Sequence, residues 1–135
     1  MRVVLDTNVL VSGLISPSGP PGEILRLLET APIIPCFSDS ILGEYHEVLG
    51  RPKFEFPAST VASLLRRFSA VGERIAAEPF SLGLPDPKDE AFLAVALAAH
   101  ADVLVTGNLR HFPARLRHGV AVVSPRDFLE ALRGR

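Results

Sequence analysis

Arg2-Val3-Val4-Leu5-Asp6-Thr7-Asn8-Val9-Leu10-Val11 is the stretch on which the fold turns. Val3, Val4 and Leu5 are a short, wholly apolar run rich in β-branched side chains, the pattern of a strand buried on both faces. It stops at three small polar residues, Asp6, Thr7 and Asn8. Apolar residues then recur at Leu10, Val11, Leu14 and Ile15, the spacing of a short helix. A carboxylate is thereby set at the carboxyl end of a central strand, beside a helix N-terminus, where open α/β sheets bind their ligands. Asp6 has two readings here, a helix N-cap or a metal-binding or catalytic carboxylate, and this stretch alone leaves both open.

Working outward, 135 residues predict one domain, residues 1–135, large enough to bury a core. Hydrophobic residues are 47% and charged residues 21%, ordinary for a globular α/β chain. No apolar run approaches membrane-spanning length, since the longest helical one, Phe92 to Ala99, is broken by His100 and Asp102. No membrane partner is expected. The chain opens directly on a strand, without the basic region, apolar core and cleavage site of a signal peptide. Cys36 is the single cysteine, which rules out an internal disulfide and fits a reducing, cytoplasmic setting. A net charge of −1 neither announces nor excludes a nucleic-acid partner.

Ser16 to Gly22 reads as a loop, and Glu23 stands where a phosphate-binding loop needs its Gly-Lys-Ser/Thr. Ile24 to Leu28 mark a short amphipathic helix closed by Thr30-Ala31-Pro32, and residues 33–37 a second strand. The next helix runs from Ser38-Asp39-Ser40 to about Gly50, with an apolar stripe of Ile41, Leu42, Tyr45, Val48 and Leu49. Glu44 lies inside that stripe, whereas Glu47 faces water. A carboxylate among apolar neighbours costs several kcal/mol unless it is paired or bound, so Glu44 points either at an arginine or at a ligand. Phe54-Glu55-Phe56-Pro57 reads as a linker, and Ser59 as the cap of a helix with a Val61, Leu64, Leu65, Phe68 and Val71 stripe, Arg66 and Arg67 facing out. Residues 74–77 form a short edge strand and 79–87 a loop.

Asp86-Pro87-Lys88-Asp89 opens the most apolar helix of the chain, Phe92 to Ala99, in the manner of a capping box with aspartate in both acidic places. Asp89 also shares the buried face of Phe92, Leu93 and Ala96, while Lys88 and Glu90 face water. Residues 102–106 are another strand, ending like the first in small polar residues, Thr106-Gly107-Asn108. Residues 109–118 are loop-like, residues 120–123 a last strand, and Ser124-Pro125-Arg126-Asp127 caps a terminal helix. The alternation of strands and helices implies a parallel-type sheet covered by helices, at whose carboxyl edge Asp6, Glu44 and Asp89 can meet.

Val-Val-Leu-Asp6-Thr7-Asn8-Val-Leu, the mid-helix Glu44, Asp86-Pro-Lys-Asp89-Glu-Ala-Phe-Leu and Leu-Val-Thr106-Gly-Asn108-Leu-Arg-His-Phe together resemble a PIN domain, over nearly the whole chain. More narrowly, the chain resembles the VapC-like ribonuclease toxins of bacterial toxin–antitoxin pairs. The resemblance implies a three-layer α/β/α sandwich around a mainly parallel sheet of about five strands. It also implies a metal-dependent nuclease acting on RNA, an antitoxin protein as partner, and a homodimer. Asp6, Glu44 and Asp89 match the family's acidic residues, with Glu90 the neighbouring alternative to Asp89. Thr7, Asn8 and Thr106 match polar positions beside them, and Asp86 is a further helper. Asn108 stands where the family has another acid; its amide can ligate but brings no charge, which leaves one metal or two open.

Three crowded carboxylates repel one another until a cation relieves them, and all-oxygen ligation suits Mg²⁺ or Mn²⁺ rather than Zn²⁺. Such an ion can acidify a water for attack on a phosphodiester. The four histidines are scattered, with no His-Glu-x-x-His, and no Gly-x-Ser-x-Gly elbow occurs. Arg110, His111 and Arg115, with Arg117 and His118, form an acid-free stretch suited to RNA phosphates; Arg51 and Lys53 are a second such place. For any one of them an ordinary surface cation is the simpler reading. Two competing functions are a catalytically weak or inactive RNA-binding or partner-binding domain, which Asn108 motivates, and a haloacid-dehalogenase-type phosphatase. The latter requires an aspartate where Asn8 stands.

Overall fold

The computed structural model describes residues 1–30, 33–77 and 81–134. Its strands are β1 (Arg2–Leu5), β2 (Ile34–Phe37), β3 (Glu73–Arg74), β4 (Val103–Val105) and β5 (Val122–Val123). Its helices are α1 (Thr7–Ile15), α2 (Pro20–Thr30), α3 (Asp39–Leu49), α4 (Ala58–Val71), α5 (Glu90–Ala98) and α6 (Pro125–Arg133). The strands form one sheet in the order β3-β2-β1-β4-β5, and all four pairings are parallel. With its helical layers the sheet makes the α/β/α sandwich expected from the alternating pattern.

β1 is central because Val3, Val4 and Leu5 are fully buried and satisfy neighbours on both sides. The chain leaves β1 towards β2 on one side, while β4 lies on the other, so the β1–β4 boundary is the switch point at which such sheets open a crevice. Register fixes what meets there. Val3, Val4 and Leu5 pair with Val103, Leu104 and Val105, which sets Asp6 beside Thr106, one residue beyond each strand.

α5 packs on β1, β2 and β4, and its Phe92, Leu93, Ala94, Val95 and Ala96 are all buried. That burial explains why it carries almost no polar side chain. α3 is held to the sheet by aromatic contacts: Tyr45 packs edge-on to Phe68 of α4 at 5.2 Å, and Phe68 on Phe37 of β2 at 6.3 Å. The Tyr45 hydroxyl, fully buried, donates to the Leu5 carbonyl over 2.6 Å, tying α3 to the last residue of β1.

Boundaries differ from the sequence expectation where local chemistry was misread. α2 begins at Pro20, because the Pro20-Pro21 pair starts a helix as readily as it breaks one. Gly22 there lies against Pro17, where an added Cβ would be 2.1 Å from the Pro17 carbonyl oxygen. Ser59 lies inside α4, whose N-cap is Pro57 with no side-chain cap bond. β3 is Glu73–Arg74 rather than 74–77. The supposed linker, Phe54 to Pro57, starts on the last residue of a 3₁₀ turn, Pro52–Phe54, which is closed by Glu55 in a left-handed conformation (φ 54°). The expected helix stop at Ala31-Pro32 and part of the 79–87 loop lie outside the described residues.

Candidate active site

Asp6 takes the N-cap position of α1 with extended backbone, yet its side chain makes no cap bond. Its carboxylate turns instead across the β1–β4 boundary, where Thr106 Oγ1 donates to Oδ2 at 2.8 Å and Asn8 Nδ2 donates to the same atom at 3.2 Å. Thr106, fully buried, accepts the Asn108 N–H at 3.0 Å. Asn8 closes the arrangement by accepting the Gly107 N–H at 2.8 Å. Both strand ends are thus locked round one carboxylate. Asp6 is 4% exposed, and burial raises its pKa above the ordinary value, with the Thr106 hydroxyl opposing.

Glu44 reaches the same place from α3. The Thr7 hydroxyl donates to its Oε2, and its pKa is raised, chiefly by burial and then by the Asp6 charge, against the Thr7 bond. The arginine alternative fails among the described residues. Arg51 is forked onto Glu47, with bonds of 3.1 and 2.9 Å, and no ion pair involves Glu44.

Asp89 ends a 3₁₀ turn, Pro87–Asp89, that leads into α5. Asp86 does the capping, its Oδ1 accepting the Lys88 N–H at 3.0 Å, and no reciprocal cap bond comes from Asp89. Asp89 is 8% exposed. Its buried Oδ2 has no hydrogen-bond partner, although His111 Nδ1 stands 3.1 Å away; the approach is close but not aligned for a bond. Burial and then the Asp6 charge push its pKa up to about 7, with His111 opposing and Asp86 and Glu44 adding to the rise. Glu90, expected to face water, turns away from this group and accepts the backbone N–H groups of Leu82 and of Gly83, the latter at 3.1 Å.

Thr7, Asn8, Glu44, Asp86, Lys88 and Asp89 line one cleft of about 580 Å³, with Arg51 and Phe54 at its side. A hollow of the same volume between α3 and α4 is lined by Leu42, Leu65 and Ala62 and holds no carboxylate. The acidic residues of the cleft sense one another's charge, yet among the described residues no three Asp, Glu, His or Cys side chains already stand as a ready metal-binding group. Asn108 Nδ2 meets His111 Nε2 at 2.9 Å. If the amide donates, His111 carries its proton on Nδ1, towards Asp89. His111, read from sequence as a phosphate contact, is therefore set between Asn108 and Asp89. Arg110 and Arg115 are exposed, Lys53 lies over the Phe54 ring, and Arg117 donates to the Phe112 carbonyl at 2.8 Å. Sequence reading missed the Tyr45 tether and the His111 bridge; only the Tyr hydroxyl in an otherwise apolar stripe hinted at the first.

The PIN domain model matches residues 2–110, a span that contains every carboxylate of the cleft. The chain belongs to the PIN-domain family. Members of that family are generally nucleases. The uncharacterized protein MJ1680 of Methanocaldococcus jannaschii is 33% identical over 111 residues, 80% of this chain and 71% of that protein. Among solved structures, VapBC2 from Rickettsia felis, bound to a DNA fragment from its promoter, contains a chain that aligns with a TM-score of 0.63 at 22% identity, over 92% of this chain and 98% of that one. FitAB bound to the IR36 DNA fragment gives 0.62 at 19% identity, over 91% and 94%. FitAcB from Neisseria gonorrhoeae gives 0.57 at 17% identity, over 92% and 98%. At these identities the likeness is one of fold. No helix among the described residues is long and apolar enough to cross a membrane.

Proposed function

We propose that this PIN domain is a divalent-metal-dependent endoribonuclease that hydrolyses RNA phosphodiester bonds, and that it is the toxin of a toxin–antitoxin pair. The observation that carries the reading is the buried Asp89 Oδ2, which makes no hydrogen bond, is met by His111 Nδ1 at 3.1 Å, and lies within reach of the Asp6 and Glu44 charges. A buried carboxylate oxygen that makes no hydrogen bond is expensive to keep, and a bound cation would satisfy it. Burial raises the pKa of all three acids, and neighbouring carboxylates add to the rise at Glu44 and Asp89. Their oxygen-only donor chemistry fits a hard cation such as Mg²⁺ or Mn²⁺.

Asp6, Glu44 and Asp89 would hold that ion. When bound, it supplies charge neutralisation and a water acidic enough to react near neutral pH. Thr106 and Asn8 fix the orientation of Asp6, Thr7 that of Glu44, and Asp86 holds the turn that carries Asp89. Lys88, Arg51 and the free guanidinium groups of Arg110 and Arg115 offer phosphate contacts, with Lys53 at the cleft's edge. His111, between Asn108 and Asp89, moderates the charge on Asp89 rather than serving as a surface cation. The VapBC2 and FitAB complexes support a protein partner, an antitoxin, for this chain as well, and the family likeness extends to a homodimer.

A second reading, a catalytically weak or inactive RNA-binding or partner-binding domain, draws on Asn108, whose amide brings no charge and is engaged by His111. Incubation with RNA in Mn²⁺, with and without chelator, separates the two. Cleavage that chelator stops, and that Asp6→Asn reduces by roughly a thousandfold or more (~4 kcal/mol of barrier), supports the nuclease. Undiminished cleavage by Asp6→Asn would assign the activity to a contaminant.

A further inference from the structure

The ribonuclease reading leaves one aromatic of the cleft without a task. Phe54 lines the same hollow as Glu44, Asp86 and Asp89. Its ring stacks on Phe56 with centroids 5.3 Å apart and planes within 10°. Phe56 packs against the hydrophobic core and Phe54 does not, so the core claims only the inner ring of the pair. Phe54 thus stacks on Phe56, and the Lys53 ammonium lies over the Phe54 ring, 5.0 Å from its centre. Glu55, between the two rings, adopts φ 54°, a left-handed conformation that a non-glycine residue takes at a cost. This left-handed residue, at the end of the 3₁₀ turn, lies in sequence between the two stacked rings. Strain of this kind persists where the surroundings require it, and it is concentrated at ligand clamps.

We propose that Phe54 is a base-stacking position for an unpaired nucleotide of single-stranded RNA bound across the acidic cleft. This rests on the ribonuclease reading and deepens it. A solvated ammonium over a phenyl ring is the weaker partner; a nucleobase stacked on the same face is the stronger one. The entering base displaces Lys53, and the freed ammonium meets the phosphate that accompanies the base. Arg51 and Lys88, in the same cleft, bracket that path with positive charge. A peptide partner fits less well, because a docking helix needs a continuous apolar groove, whereas the Phe54–Phe56 pair is flanked along the chain by Arg51, Lys53 and Glu55, with Glu47 lining the same cleft. Stacking reads a π-face rather than base edges, so the position selects unpaired RNA over duplex and tolerates any base.

The chain contains no tryptophan, so Phe54→Trp creates a single reporter at this position. The variant is combined with Asp6→Asn to hold cleavage off in Mn²⁺, and is titrated with a short oligouridylate, with an oligomer of the same backbone lacking bases, and with duplex RNA. Binding is followed in parallel by anisotropy of labelled RNA. Expected are quenching by the oligouridylate alone, and a roughly tenfold loss of affinity in Phe54→Ala that Phe54→Tyr restores while the slope of affinity against salt is unchanged. RNA binding without quenching, or equal quenching by the baseless oligomer, overturns the stacking position and leaves the nuclease reading standing. An affinity that Phe54→Ala does not alter overturns it too and hands the ring to a protein partner. Absence of RNA binding by every variant removes both.

Discussion

Two sets of helix starts in this molecule put cap-forming residues, serines in one and aspartates in the other, to opposite ends. At α3 and α6, Ser38 and Ser124 accept the N–H three residues on, at 3.2 and 3.1 Å, the ordinary way to satisfy a helix's first donors. At α1 and at the entry to α5, Asp6 and Asp89 occupy equivalent positions and make no such bond. Both carboxylates turn inward to a place where burial raises their pKa, and the Asp6 charge raises that of Asp89 further. The serines stabilise their helices, whereas the aspartates, when ionised, work against the fold. A sequence departs from its local rules where a site is built, and here the departure falls at the carboxyl ends of β1 and β4.

The comparison is broken most forcefully at Asp89. A capping residue tolerates Asp→Asn, since asparagine caps equally well. A buried, crowded acid behaves otherwise. Its pKa is about 7 in the folded chain against 3.8 in the ordinary state, so between these limits the folded form binds more protons than the unfolded one. The contribution of Asp89 to stability is then fully present below about pH 4, declines as pH rises, and is gone above about pH 7. The whole shift sets a ceiling near 4 kcal/mol; because interacting acids share it, about half is expected from one substitution. Without divalent ions, Asp89→Asn should therefore raise the melting temperature at pH 8 by roughly 6–8 °C and flatten its decline between pH 5 and pH 8. It should also abolish stabilisation by Mn²⁺. A variant that melts like the parent at both pH values would make Asp89 an ordinary helix-start residue.

The next effect is smaller and separates position from charge. Tyr45→Phe removes the hydroxyl on the Leu5 carbonyl while keeping the packing on Phe68 and Phe92. The orphaned buried carbonyl costs about 1–2 kcal/mol. Because Glu44 is the preceding residue of α3, cleavage should fall severalfold while the pH dependence of stability stays that of the parent. Melting curves and initial rates on RNA report the two separately. Equal activity at reduced stability would show that Glu44 does not depend on the tether.

The skeleton was legible for simple reasons. β1, β4 and α5 are buried on nearly all sides, so their apolar runs have one reading, and parallel pairing followed from alternation. Glu44 was legible because a charge inside an apolar stripe must be satisfied somewhere. Asp6 and Asp89 were legible as positions but not as roles, since cap and site differ only in a side-chain rotation. Glu90 was misjudged because its partners, the amides of Leu82 and Gly83, lie in a loop with no periodicity to betray its path. The approach of His111 to Asp89 was not legible, because a basic stretch says nothing about which cation folds back onto an acid. Phe54 escaped because Phe-Glu-Phe-Pro reads as a linker when the left-handed turn at Glu55 is not visible.

The smallest predicted effect tests the other side of the comparison. Ser124→Ala deletes the acceptor for the Asp127 N–H at the start of α6, a helix packed on α2 that contributes no residue to the lining of the cleft. If Ser124 only caps, the loss is about 1 kcal/mol, a fall of roughly 3–4 °C in melting temperature, equal at pH 5 and pH 8. Mn²⁺ should stabilise this variant as much as the parent, and its rate on RNA should be unchanged. The pair is informative because the signs oppose: removing an oxygen that caps lowers stability at every pH, while removing a charge that does not cap raises it only where that charge exists. A Ser124→Ala loss that varied with pH, or that carried RNA cleavage down with it, would mean that the two kinds of helix start are energetically linked through α2 and α1, and that the cleft is not the self-contained unit its hydrogen bonds describe.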